Sequence, residues 1–213
     1  MMHNSQATVY FLDSSIFQKP EIFSRYYKQI PENRKEKIAS YSLQKDKRLS
    51  LAAAVLLKLA LEKNGIEEKE QIIEISESGK PFLSGSDKIF FNLSHSGNLA
   101  CCVISSDVNG IDLESVKTSR IKMAERFFPK EDIDYIFDSA SDDDKALRFY
   151  ECWTAKEAFC KMCEKALDKV LQIPLSEIKE NVFCMTKTIN NDYVCSVCTK
   201  DKSDIIFEEI KIQ

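Results

Sequence analysis

The sequence is poor in the two residues that most often interrupt regular structure, with five glycines and five prolines in 213 residues. That excludes a collagen-like repeat and a Pro/Gly-rich disordered segment. Long apolar runs are missing too. The best of them, residues 49–61, is shorter than the ~20 residues that span a bilayer and contains Lys58. The amino terminus, MMHNSQATVYF, has no basic stretch followed by an apolar one, so no export signal is expected. Positive charge is not in excess: 30 Lys+Arg stand against 34 Asp+Glu, a net charge of −4. A dedicated nucleic-acid binder usually carries a strongly basic face, so that class is disfavoured. What remains is the balance of a soluble globular protein, long enough for one large domain or two small ones.

Eight cysteines are present. Without an export signal they are expected to be reduced thiols in a cytoplasmic protein. Two CxxC pairs, Cys160/Cys163 and Cys195/Cys198, raise the question of zinc. Zinc knuckles need tight, usually Gly-containing turns, and neither pair has one. The first lies in a helical pattern. The second lies in YVCSVC, a β-like run in which residues three apart face opposite sides. Buried small apolar thiols are the better reading.

The pattern is mixed α and β. ATVYFL (7–12), QIIEI (71–75), IFFNL (89–93), LACCVI (99–104) and NGIDLE (109–114) have the branched and aromatic content of strands. Residues 43–63 form a long, largely apolar helix ended by Gly65, and residues 146–167 form a second. Shorter helices are predicted from about Pro20, over 121–128 and over 131–137. SASDDDK (139–145) reads as an acidic loop, and VFCMTKT, YVCSVC and IIFEEI as closing antiparallel strands. Helix followed by strands occurs twice, with a junction near 105–109. This predicts an α+β protein of two lobes, 1–108 and 109–213. The first lobe has a net charge of +1 and the second −5; within the first, residues 19–48 hold nine basic and four acidic side chains. That basic stretch is either a solvated helical face or a site for an anionic partner.

Four constellations carry chemistry. In Gly110-Ile-Asp112-Leu-Glu114 the two acids, two apart on a strand, share a face. Adjacent carboxylates repel unless a cation lies between them, and hard oxygen ligands suit Mg²⁺; an exposed strand edge is the alternative. In Trp153-Thr-Ala-Lys156-Glu157-Ala-Phe-Cys-Lys161 a helical wheel puts Lys156 inside the apolar arc of Phe149, Cys152, Trp153, Phe159, Cys160 and Cys163. Glu157 and Lys161, one turn apart at its edge, could be a simple i,i+4 ion pair worth about 0.2–0.5 kcal/mol. That leaves Lys156 unexplained, whereas a bound polyphosphate with its metal would account for all three. Phe91-Asn92-Leu93-Ser94-His95-Ser96-Gly97 lies between two strands and places His95 at a hairpin tip, as phosphate ligand, base or idle turn residue. No nucleophile elbow accompanies it, which disfavours a serine hydrolase. Gly79-Lys80-Pro81 reads as a turn that presents Lys80.

Taken together and in this order, SGKPFL (78–83), FNLSHSG (91–97), GIDLE (110–114), RFF (126–128) and WTAKEAFCK (153–161) resemble the 4′-phosphopantetheinyl transferases of the monomeric two-lobe type. Arg48 resembles that family's nucleotide-phosphate arginine, and the Arg34–Lys37 basic cluster matches its 3′-phosphate contacts only loosely. Ala158 stands where serine is common. The resemblance implies two similar α+β lobes in a pseudo-dimer, each with a small antiparallel sheet and a long helix, and the active site between them. It implies that coenzyme A binds there with Mg²⁺ and that a serine of an apo acyl or peptidyl carrier protein attacks the β-phosphate. Adenosine 3′,5′-bisphosphate then leaves. The implied metal ligands are Asp112, Glu114 and Glu157. Lys161, Lys156 and His95 would contact the pyrophosphate, and Lys80, Ser94 and Arg48 the nucleotide end. Glu157 is the implied base, although a carboxylate beside Mg²⁺ keeps a low pKa, so positioning should count for more than proton abstraction. No nucleic acid or membrane is expected as a partner. Rival readings are a carrier-binding module without catalysis and another Mg²⁺-dependent phosphotransferase; no P-loop or kinase signature supports the latter.

Overall fold

A computed structural model describes residues 5–213; residues 1–4, part of the stretch read above for an export signal, lie outside it. The first half runs β1 (Ser5–Asp13), α1 (Pro20–Tyr27), α2 (Glu32–Ser40), α3 (Gln44–Lys63), β2 (Ile73–Ile75), β3 (Pro81–Leu83), β4 (Phe90–Ser96) and β5 (Leu99–Ser105). The second runs β6 (Asn109–Ser115), α4 (Met123–Phe127), α5 (Lys130–Phe137), α6 (Asp142–Cys163), α7 (Leu167–Leu171), α8 (Leu175–Asn181), β7 (Phe183–Ile189), β8 (Tyr193–Thr199) and β9 (Ser203–Glu209). The fold is α+β, with small sheets and two long helices. Among the described residues no helix is long and apolar enough to cross a membrane.

Alternation along the strands builds four layers. In the sheet ordered β4-β5-β1-β9, Tyr10, Leu12, Ala100 and Cys102 face α3, while Val9, Phe11, Cys101 and Val103 face the other way. There they meet Ile111, Leu113, Cys195 and Val197 from the sheet ordered β6-β8-β7. The far side of that second sheet is covered by α6, whose Ala155, Ala158 and Met162 are buried. Being covered on both faces, β5 is buried at every position, which is why LACCVI reads as a continuous apolar run.

Several elements differ from the sequence reading. The acidic stretch 139–145 is not all loop. Ser141 accepts a hydrogen bond from the Asp144 backbone N–H, and Asp142, Asp143 and Asp144 occupy the positive end of α6 as its first turn. The same helix ends at Cys163, not at 167, because Glu164 turns left-handed (φ 52°). The hairpin tip is Gly97-Asn98, with Gly97 at φ 61°; Ser94, His95 and Ser96 remain on β4. IIFEEI does not join the second sheet. Both edges of β8 are taken by β6 and β7, so β9 crosses back and pairs in parallel with the open edge of β1, stacking Phe207 on Phe11.

Candidate active site

β4 and β6 are edge strands of different sheets, and they run side by side where the sheets meet. On β6, Ile111 and Leu113 enter the core between the sheets while Asp112 and Glu114 face α6 and a cavity. Gly110 makes that approach possible. A Cβ there would lie 2.0 Å from the Ala158 carbonyl oxygen and 2.6 Å from the Met162 nitrogen, so only glycine lets α6 settle onto the strand.

The cavity, ≈ 360 Å³, has two chemically different walls. One is acidic: Asp112 and Glu114 from β6 and Glu157 from α6, with Lys161 among them. Ser94 from β4 lies with these, and the rest of the lining is basic and polar: Arg34 and Lys37 from α2 and His95 from β4, with Tyr41 and Ser50. Asp112 is buried; its Oδ1 takes Lys161 Nζ at 2.7 Å and Ser94 Oγ at 2.8 Å, and its Oδ2 has no protein donor. Lys161 therefore pairs across to the strand and not with Glu157 one turn earlier; its remaining protons go to Ser94 Oγ and the Ile111 carbonyl. Burial alone would lower the pKa of Lys161, but the Asp112 carboxylate outweighs it and holds the ammonium above its ordinary value. Glu157 goes the other way. Burial first, then the charges of Asp112 and Glu114, push its carboxyl up to about 7. Burial, aided by the positive charge of Lys161, Lys37 and Arg34, pushes His95 below its usual value.

Among the described residues no three such side chains are gathered tightly enough to hold an ion as they stand. The donor set nevertheless fits a hard divalent cation. Three carboxylates face one cavity, one of them carries an unpartnered buried oxygen, and another is driven toward its neutral form by burial and then by the charges of the other two.

Not every expected residue reaches this place. Lys156 is fully buried on the opposite side of α6, with Nζ 2.7 Å from Asp132 Oδ2, over the Phe128 ring and bonded to the Leu171 and Ile173 carbonyls. The expectation that it touches pyrophosphate is thereby corrected: its ammonium is consumed in tying α5 and the loop around α7 to α6. Lys80 is not on the cavity wall either. Its Nζ donates to the carbonyls of Asn109 and Lys161 from the turn before β3, and Ser76 and Ser78 of that turn hold the Glu164 carboxylate. Arg48 is half-buried on α3 away from the lining. Ser94, expected at the nucleotide end, lines the cavity and donates to Asp112 Oδ1. Conversely Arg34 and Lys37, three apart on one helical face, stand where a single basic stretch in the sequence left the choice open.

Two sequence-family models match the chain. The 4′-phosphopantetheinyl transferase superfamily covers residues 109–204, and the N-terminal 4′-phosphopantetheinyl transferase family covers residues 18–108. The protein is 28% identical over 184 residues to a 4′-phosphopantetheinyl transferase of Bacillus subtilis, covering 79% of this chain and 81% of that one. It is 24% identical over 220 residues to the 4′-phosphopantetheinyl transferase Sfp of Bacillus subtilis strain 168 (94% and 97%). With gsp of Aneurinibacillus migulanus it shares 27% over 195 residues (84% and 79%). The matches run through both sheets and both walls of the cavity, and by them this chain belongs to the 4′-phosphopantetheinyl transferase superfamily.

Proposed function

We propose that the protein transfers the 4′-phosphopantetheine group of coenzyme A to a serine of an apo acyl or peptidyl carrier protein. The observation that carries this reading is the gathering in one cavity of three carboxylates, with Lys161 among them, and of Arg34, Lys37 and His95. Such a site suits a diphosphate ester, whose transfer needs positioning and charge neutralisation more than covalent help. Asp112, Glu114 and Glu157 would hold Mg²⁺, which when bound supplies Lewis-acid polarisation of the phosphoryl oxygens. Lys161 offers its ammonium to the diphosphate beside Asp112. His95, Arg34 and Lys37 face the more anionic nucleotide end. The serine oxygen forms the new bond to the β-phosphorus, the bond to the leaving phosphate breaks, and adenosine 3′,5′-bisphosphate departs. Glu157 would accept the serine proton directly or through water; a carboxylate beside Mg²⁺ is a weak base, so its positioning of the metal counts for more.

We read residues 1–108 and 109–213 as the two lobes, with β9 lent back to the first sheet; the two family models meet at the same point. We read the active unit as a monomer, as the family resemblance implies. The eight free cysteines suit a reducing cytoplasm.

The test is to incubate the protein with apo acyl and peptidyl carriers, coenzyme A and Mg²⁺ and to weigh the carriers intact. A gain of one phosphopantetheine is expected, and no gain on any carrier would refute the proposal. In the same assay Lys161→Ala should lose about 2.7–4 kcal/mol of transition-state stabilisation.

A further inference from the structure

No backbone ladder joins β4 to β6, yet the outer edge of β6 is not left open. From Asn92 onward, every second residue of β4 sends a side chain to it. Asn92 Oδ1 accepts from the Ile111 N–H (3.0 Å), Ser94 Oγ from the Leu113 N–H (3.3 Å) and Ser96 Oγ from the Ser115 N–H (3.1 Å). These are three rungs of one ladder, two residues apart on both strands. They satisfy donors that an edge strand otherwise leaves unpaired.

Closing the edge does not by itself call for serine. The first rung uses asparagine, and the β6 residue before its donor is Gly110, which has no carboxylate, whereas Asp112 and Glu114 precede the donors of the next two. The next two rungs lie beside Asp112 and Glu114, and both are serines. A hydroxyl oxygen accepts from the backbone and donates onward through the same atom. Ser94 Oγ donates to Asp112 Oδ1 and Ser96 Oγ donates to Glu114 Oε2, each at 2.8 Å. The other charged contact to Glu114 is Arg120 at 3.8 Å, a partly exposed pair that holds a side chain weakly.

We propose that Ser96 is a positioning residue for the transfer reaction. It locks the end of β4 to β6 and, through the same oxygen, aims the Glu114 carboxylate, so that the seating of the two sheets and the orientation of the metal ligands are one arrangement. Ser94 does the same for Asp112, but it also touches Lys161 and lines the cavity, so Ser96 is the cleaner probe. The inference rests on the reading of Glu114 as a metal ligand.

Ser96→Thr and Ser96→Val separate the two roles, because they share one shape and one strand preference and differ in the hydroxyl. The full chain is titrated calorimetrically with Mn²⁺ alone, and exchange of the Ser115 amide is followed in parallel. Loss of a group that orients a metal ligand typically weakens metal affinity about 10-fold or more. Ser96→Val should show that loss together with faster Ser115 exchange, and Ser96→Thr should restore both. If Ser96→Val exchanges faster but binds Mn²⁺ like the wild type, Ser96 only joins the sheets and the inference fails while the metal reading stands. If the wild type takes up no Mn²⁺, the metal reading falls and the inference with it. Ser96→Ala provides the same comparison should the valine variant not fold.

Discussion

Helices α3 and α6 are of similar length, 20 and 22 residues, and each covers the outer face of one sheet. On α3 the buried positions are Leu, Ala, Val and one Ser; its lysines and arginine stay toward solvent or half-buried. On α6 two lysines go inward from opposite sides, Lys156 and Lys161, five residues and about 140° apart. Each is neutralised by an aspartate supplied by another element, Asp132 for the first and Asp112 for the second. The Lys156 pair is sealed from water and aromatic-covered. The Lys161 pair opens on the cavity, and its aspartate keeps an unused oxygen. A buried cation on a helix is therefore not by itself a sign of a site. What distinguishes the two is whether the pair has a solvent-facing side and spare ligand capacity.

The largest effect that would sharpen this contrast is on stability at Lys156. Lys156→Met leaves Asp132 buried and unpaired and should cost about 3–5 kcal/mol in chemical denaturation, whereas Lys156→Met with Asp132→Leu should recover most of it. If the single variant unfolds like the wild type, the sealed pair is not the tie it is described as. At the open pair the effect should move from stability to rate. Asp112→Ala should lower transfer by at least about 100-fold, read by intact carrier mass at saturating Mg²⁺, with a smaller loss of stability because Lys161 can turn to water. Near-wild-type turnover would remove Asp112 from the site. Next comes the contact that brings α6 to the strand. Gly110→Ala forces a methyl into the Ala158 carbonyl and should cost about 1–3 kcal/mol, with a disproportionate loss of transfer as Glu157 and Lys161 are displaced from Asp112. Equal fractional losses in stability-corrected turnover and folding would argue against that coupling.

The smallest effect belongs to His95. Its folded pKa is depressed by burial below 6.5, so the folded chain binds this proton less readily than the unfolded chain does. The His95 contribution is therefore complete above pH 6.5 and is lost as pH falls from there through the folded pKa. The ring stands on an exposed residue of β4, so the effect is small: His95→Gln should flatten that acid limb slightly in pH-dependent melting of the ligand-free protein, and an unaltered slope would mean that solvent screens the ring fully.

Much of this was readable in one dimension. The apolar, branched and aromatic runs of β1, β5 and β8, the apolar length of α3 and the i, i+2 spacing of Asp112 and Glu114 on β6 are local properties, set by side-chain content and periodicity. The misreadings have a common cause. Ser141 and the three aspartates after it look like a loop in composition but act as a helix cap, a distinction that depends on which backbone N–H they meet. The β9 strand has the right pattern for either sheet, and only the occupied edges of β8 and the vacant edge of β1 decide between them.

The site divides in the same way. Motif spacing paired Asp112 with Glu114 and Glu157 with Lys161, because residues on one strand face or one helical turn must lie together, and the family resemblance joined those pairs to His95. That Lys156 meets Asp132, that Ser94 bonds Asp112, and that Arg34 and Lys37 line one cavity with His95 were decided by the tertiary structure alone. Those outcomes depend on elements far apart in the chain. Their pairing follows from how two sheets stack and which edges remain to be closed, and no local periodicity encodes it.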